Sequence, residues 1–381
     1  MCLRSSPTIP LTLNPAPYIV YSSLIYFSLF FSSGRWYSNL NIKASSQVTD
    51  VRVRCLIENK ISENRKSAAL EGITIEKFME VASRILDKIT VEGLYHGNCD
   101  EGGAKEVGNM IEDLLKKEGR GPLKTKPSES INKIPTGSGG GGGMGRLLVG
   151  SKNIKEPNNG VEHYYQISPD NTKERVIIDL LTQIMYEPLF DQVRTKEQFG
   201  YSVSCGARWT SGIMGVSMKI VTAVKTVKEC SERLEKFVVD FRELLAQMKD
   251  EDYMSNVVSL AKIKLQVWNA LSEQTSHFWS EITCCRYNYN CDLEEVKCLR
   301  GIKKADLLAF YDEYIVKGAR GRRSVVVAVL GGESAGLGEG GAAGEKEREV
   351  SKDLEELDKQ IAATHSNKKG GKWPTVYKHK H

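Results

Sequence analysis

Apolar positions recur at helical spacing in several separate stretches of the chain. Ile75, Phe78, Met79, Ala82, Ile85 and Leu86 fall on one face and predict a helix over 75–89. Val107, Ile111, Leu114 and Leu115 predict another near 104–117. Val176, Ile177, Leu180, Leu181, Ile184 and Met185 predict a third, opened by Asn171 with Glu174 three residues on, the spacing of a capping box. Pro188 is expected to interrupt it, with a second short helix carrying Phe190, Val193 and Arg194. The longest stripe runs through Val227, Cys230, Leu234, Phe237, Val238, Phe241, Leu244, Leu245 and Met248. Three more helices are expected over 252–270, over 276–287 with Phe278, Trp279 and Ile282 inward, and over 305–315.

Strand-like alternation fills the gaps. Thr90–Asn98, Arg146–Gly150, Val161–Ile167, Tyr201–Trp209, Ile213–Thr222 and Ser324–Leu330 read as strands, and Thr210-Ser211-Gly212 reads as a hairpin turn. Strands followed by helices that cover one sheet face make an α+β sandwich over 146–331. Residues 49–117 are too few for a domain and read as the end of one. Residues 118–145 hold three prolines and an unbroken glycine run, which cannot bury apolar area and reads as a linker. No Gly-x-x-x-x-Gly-Lys-[Ser/Thr] phosphate loop occurs there. The tail, 332–381, is rich in Gly, Ala, Glu and Lys and reads as disordered and charged.

Composition narrows the class further. The 381 residues are 40% hydrophobic and 27% charged, the balance of a soluble globular protein. A formal net charge of +5 spread along the chain gives no reason to expect nucleic acid, and Arg320-Gly321-Arg322-Arg323 reads as a solvated loop before a strand. Nine cysteines at irregular spacing include no Cys-x-x-Cys and suggest reduced thiols in a cytoplasmic setting. Residues 1–48 match nothing else in the chain's logic. Within them Tyr18–Phe31 is an apolar run the length of a signal-peptide core, so a targeting peptide (organellar or secretory) and an incorrect start both stand.

Peptidase chemistry on zinc needs two imidazoles, a carboxylate ligand and a carboxylate that activates water. The six histidines stand at 96, 163, 277, 365, 379 and 381, and none belongs to a His-x-x-Glu-His motif or its inverse. His277 and Glu281 lie one helical turn apart without a second histidine, which reads as a surface pair or as an imidazole beside Trp279. No Gly-x-Ser-x-Gly elbow is present, and nothing ties a thiol to a histidine. The chain is therefore expected to hold no metal and to be inactive alone.

One stretch carries a family signature. Glu187-Pro188-Leu189-Phe190-Asp191-Gln192-Val193-Arg194-Thr195-Lys196-Glu197-Gln198-Phe199-Gly200-Tyr201 resembles a segment of the insulysin and nardilysin zinc metallopeptidases, the pitrilysin-type enzymes. Val193 and Phe199 stand where that family has leucine. Asn158–Gln166 and Tyr95-His96-Gly97-Asn98 extend the likeness, which covers about residues 50–331. It implies a LuxS/metallopeptidase-like sandwich and the non-catalytic C-terminal half of an endopeptidase, with 49–117 the end of a middle domain. It also implies roles: Tyr201 donating near the scissile carbonyl, Arg194 fixing substrate backbone, and Phe190 touching a substrate side chain. Zinc is expected on the homologous half that these residues do not include, on missing chain or on a partner subunit. Peptides are the expected ligands, and self-association stays open. The rival reading is a non-enzymatic peptide-binding or scaffold subunit of the same superfamily.

Overall fold

A computed structural model describes residues 43–58, 60–121, 130–136, 145–151, 153, 155–284 and 286–331. Most of residues 1–48, the glycine run and the tail, with the expectations attached to them, lie outside the described residues. Five strands form one sheet: β1 (Gly145–Gly150), β2 (Asn159–Pro169), β3 (Ser202–Thr210), β4 (Ile213–Thr222) and β5 (Ser324–Leu330), in the order β1-β5-β2-β4-β3. Only β1 and β5 run parallel, and every other pairing is antiparallel. The β3–β4 hairpin closes at Thr210 opposite Ile213, with Ser211 and Gly212 both at positive φ (44° and 82°). Two such residues in succession give the turn whose twist matches a hairpin.

In chain order the helices are α1 (Ala44–Leu56), α2 (Glu63–Glu71), α3 (Ile75–Leu86), α4 (Glu101–Lys117), α5 (Thr172–Leu189), α6 (Val227–Gln247), α7 (Asp250–Lys264), α8 (Leu271–Thr283), α9 (Cys291–Leu299) and α10 (Lys304–Tyr314). The main core lies between the sheet and α5, α6 and α10: Val161, Tyr165 and Met218 meet Ile177, Leu181, Met185, Leu234, Phe241 and Tyr311. Burying such a side chain stabilises by about 1.5–3 kcal/mol, so this layer supplies most of the driving force. Thr226 opens α6 with a full capping box, its hydroxyl accepting from the Glu229 N–H at 3.2 Å while Glu229 accepts from the Thr226 N–H at 2.8 Å. Asn171 caps α5 by accepting from the Glu174 N–H at 2.9 Å.

One helix covers the opposite sheet face. Ala44, Val48, Val51 and Cys55 of α1 pack on Leu147, Val149, Tyr164, Val325 and Val327. β2 is therefore buried on both sides, and the consecutive residues Tyr164 and Tyr165 feed different cores. The inner face of this helix also carries Gln47 and Arg52, both buried. Arg52 meets Glu162 of β2 at 3.0 Å, with both side chains at most 5% exposed. Gln47 donates to the Ser151 hydroxyl at 2.9 Å.

Other local expectations change. Thr90–Asn98 forms no strand, because no described strand lies alongside it; its neighbours are a bridge at Lys88–Gly121 and side chains of α8 and its exit. Helix α7 stops at Lys264, and the expected 252–270 element ends there; α8 begins at Leu271. Trp279 is 41% exposed rather than inward, while Ile282 is buried as its spacing implies. Helix α9 was not anticipated, since Cys291, Val296 and Leu299 give it only a thin apolar stripe. The seven described cysteines are free thiols. No described helix is long and apolar enough to cross a membrane.

Candidate functional site

Pro188 does not end α5. The helix runs through it to Leu189 and continues as a π-helical segment, Phe190–Lys196. Proline removes one N–H donor, and the ladder downstream widens: the Glu197 N–H reaches the Gln192 carbonyl, five residues back, at 3.0 Å. The wider turn then unwinds. Phe199 N–H bonds the Val193 carbonyl at 2.9 Å, Gln198 sits at φ 53°, and the chain enters β3. Gly200 is required here by space: a Cβ would lie 2.4 Å from the Val221 carbonyl oxygen on β4. A non-glycine residue at positive φ, two positions before a glycine that space requires, is backbone of the kind found at functional sites.

That bend presents Tyr201, which is 85% exposed at the head of β3. The Arg194 guanidinium lies 4.6 Å from the Phe190 ring centroid and 5.8 Å from that of Tyr201. Phe190 in turn stacks on Tyr186 at 6.0 Å. The three residues singled out from sequence thus form one cluster. An arginine flanked by two aromatic rings has its guanidinium held by cation–π contact while its N–H groups remain able to donate. β3 is the last strand on its side of the sheet.

A second layer fixes the cluster. Glu197 accepts from both Arg233 Nε (2.5 Å) and Nη2 (2.8 Å) on α6 and from Gln192 at 2.7 Å. The Arg233 hydrogen bonds hold the Glu197 carboxyl below its ordinary value, against a smaller opposing effect of burial and with help from Gln192. Lys196 pairs with Asp191 at 2.8 Å across the π-helical turn. Sequence reading missed the Glu197–Arg233 pair, because 36 residues separate its partners.

The described histidines lie apart. His96 Nδ1 is 2.8 Å from the Thr275 hydroxyl, and His163 Nε2 is 2.9 Å from that of Ser231. Burial holds His163 below its ordinary value despite the nearby Glu235 carboxylate. His277 faces Asp292 at 3.1 Å and the Trp268 ring at 4.9 Å, not Glu281 or Trp279 as the spacing suggested; Glu281 pairs with Arg286. Cys291 is 3.8 Å from His277. Burial, then the Glu281 and Asp292 carboxylates, push its thiol up to about 12, so it is no nucleophile at neutral pH. These residues do not fit a peptidase zinc, which needs two imidazoles on one ion.

Comparison with known proteins follows this geometry. Residues 180–279 match the family described as PQQ synthase PqqF-like, C-terminal lobe domain 4. The chain is 30% identical over 303 residues to a nardilysin-like protein of Arabidopsis thaliana, covering 78% of this chain and 29% of that one. It is 31% identical over 270 residues to insulin-degrading enzyme of Mus musculus, covering 70% and 26%. The fold superposes on the crystal structure of pitrilysin with a TM-score of 0.64 at 15% identity, covering 85% of this chain and 32% of that one. The chain therefore spans under a third of the length of the relatives it matches.

Proposed function

Starting from a chain related to the C-terminal part of the insulysin and nardilysin metallopeptidases, we propose that it is the lobe that holds the peptide for a zinc site on a homologous half. The observation that carries this reading is the Phe190–Arg194–Tyr201 cluster, half-buried at Phe190 and Arg194 and exposed at Tyr201, with Glu197 and Arg233 paired beside it. Arg194 donates to main-chain carbonyls of an extended peptide, and Phe190 offers an apolar face to one side chain. Tyr201 places a phenol, free to turn in solvent, where it donates to the carbonyl oxygen under attack. The metal, when the other half supplies it, polarises that carbonyl and activates water. On its own the lobe binds and does not cleave.

The apolar faces of α3 and α4 support a missing neighbour. Ile85, Met110 and Leu114 are all more than half exposed, although their spacing is that of a buried stripe. The test mixes the purified chain with a zinc-bearing pitrilysin-type half and follows cleavage of a fluorogenic peptide. Cleavage should appear on mixing and fall about 10²–10³-fold with Tyr201→Phe, the range for loss of one donor to a developing oxyanion. Unchanged rates would remove Tyr201 from the mechanism. Peptide capture without any restored cleavage would favour the scaffold reading.

A further inference from the structure

A second cluster shares no residue with the peptide-gripping one. We propose that His277, Cys291 and Asp292, with Glu281 beneath them, bind one thiophilic divalent cation, zinc being the best match. Among the described residues this is the one set of three potential ligands whose donor atoms all lie within 4.8 Å of one another. His277 Nε2 is 3.1 Å from Asp292 Oδ2 and 3.8 Å from Cys291 Sγ. A tetrahedral zinc with bonds of about 2.0–2.3 Å needs its ligand atoms roughly 3.3–3.8 Å apart. The separations of 3.1 and 3.8 Å lie close to that range, and the third is within 4.8 Å.

Glu281 supplies an independent observation. It is fully buried, one carboxylate oxygen lies 3.7 Å from Cys291 Sγ, and the other has no hydrogen-bond partner. A buried carboxylate oxygen left unpaired is costly unless something at the site completes it. Arg286 takes the oxygen nearer Cys291, so the unpaired one is available to a water bound on the ion. Imidazole, thiolate and carboxylate together favour zinc over magnesium or calcium, which take oxygen almost alone.

Position explains what such an ion would do. His277 and Glu281 lie one turn apart on α8, while Cys291 and Asp292 open α9. The ion would pin the two helices across the 284–290 connection, at one end of a cleft of about 400 Å³ that Asp179, Lys264 and Glu295 also line. The Trp268 ring backs the imidazole. On binding, the Cys291 sulfur gives up its proton to solvent and forms the metal–sulfur bond with the electron pair left behind. The plainer alternative is a His277–Asp292 ion pair closing a turn, and the two differ in whether the thiol takes part.

The experiment titrates the metal-stripped full chain with zinc by calorimetry, then with cobalt by absorption. One ion per chain is expected, with a thiolate-to-cobalt charge-transfer band. Cys291→Ser should abolish the band, and Asp292→Asn should weaken zinc binding about 10-fold or more. Cys284→Ser, which changes an exposed thiol in the same cleft, should alter neither. No stoichiometric binding, or a band that survives Cys291→Ser, overturns the proposal. If Cys291→Ser fails to fold by circular dichroism, Asp292→Asn decides: unchanged zinc affinity in that variant overturns it equally.

Discussion

Arg194 and Tyr201 are held in place by groups with no chemistry of their own. Gly200 is the sharpest case, since the space for a methyl group is already filled by the Val221 carbonyl. Gly200→Ala must move β3 from β4 or swing Tyr201 away, and should lower unfolding free energy by about 1–3 kcal/mol in urea melts. Arg194→Lys tests orientation rather than charge. An ammonium cannot lie flat between Phe190 and Tyr201, so peptide affinity should fall although the charge is kept. The clustering of Phe190, Arg194 and Tyr201 was legible because they sit within fifteen consecutive positions that carry a family signature. The groups that brace them were not. Arg233 lies on another helix, and no local pattern pairs it with Glu197.

At the scale of elements, two buried or half-buried ion pairs join parts of the chain that the hydrophobic pattern treats separately. Arg52 of α1 and Glu162 of β2 meet inside the second core. Removing one partner leaves the other charge buried, so Arg52→Met should destabilise by about 3–5 kcal/mol in thermal or urea unfolding, and Arg52→Met with Glu162→Leu should recover much of it. The packing of α1 on the sheet was not legible because its inward face is partly charged, and a charge counts as surface until its partner is known. The Glu197–Arg233 pair makes a pH prediction. Glu197 titrates below its ordinary 4.5 when folded, so its contribution is present above 4.5 and is lost as pH falls through the lower folded value. Melting temperature should decline over that acidic window, and Glu197→Gln should flatten this part of the curve. Pro188 shows a limit of local reading: an isolated rule says the helix ends, whereas the chain re-forms its ladder at wider pitch.

For the whole molecule, the α+β sandwich was readable from strand alternation and the long α6 stripe. The edges of the fold were not, because α9 buries little and Thr90–Asn98 has strand-like residues but no sheet to join. The chain is similar to insulysin- and nardilysin-type proteins over under a third of their length, and Ile85, Met110 and Leu114 on α3 and α4 stay more than half exposed. The central claim, that the bend between the π-helical turn and β3 grips polypeptide, needs no second half for its test. Fluorescence anisotropy of a labelled extended peptide, titrated with the wild-type chain and with Arg194→Ala/Tyr201→Ala, measures it directly. Saturable binding by the wild type, weakened about 10-fold or more in the double variant with an unchanged melting temperature, is the predicted result. Equal affinity for both proteins would contradict it.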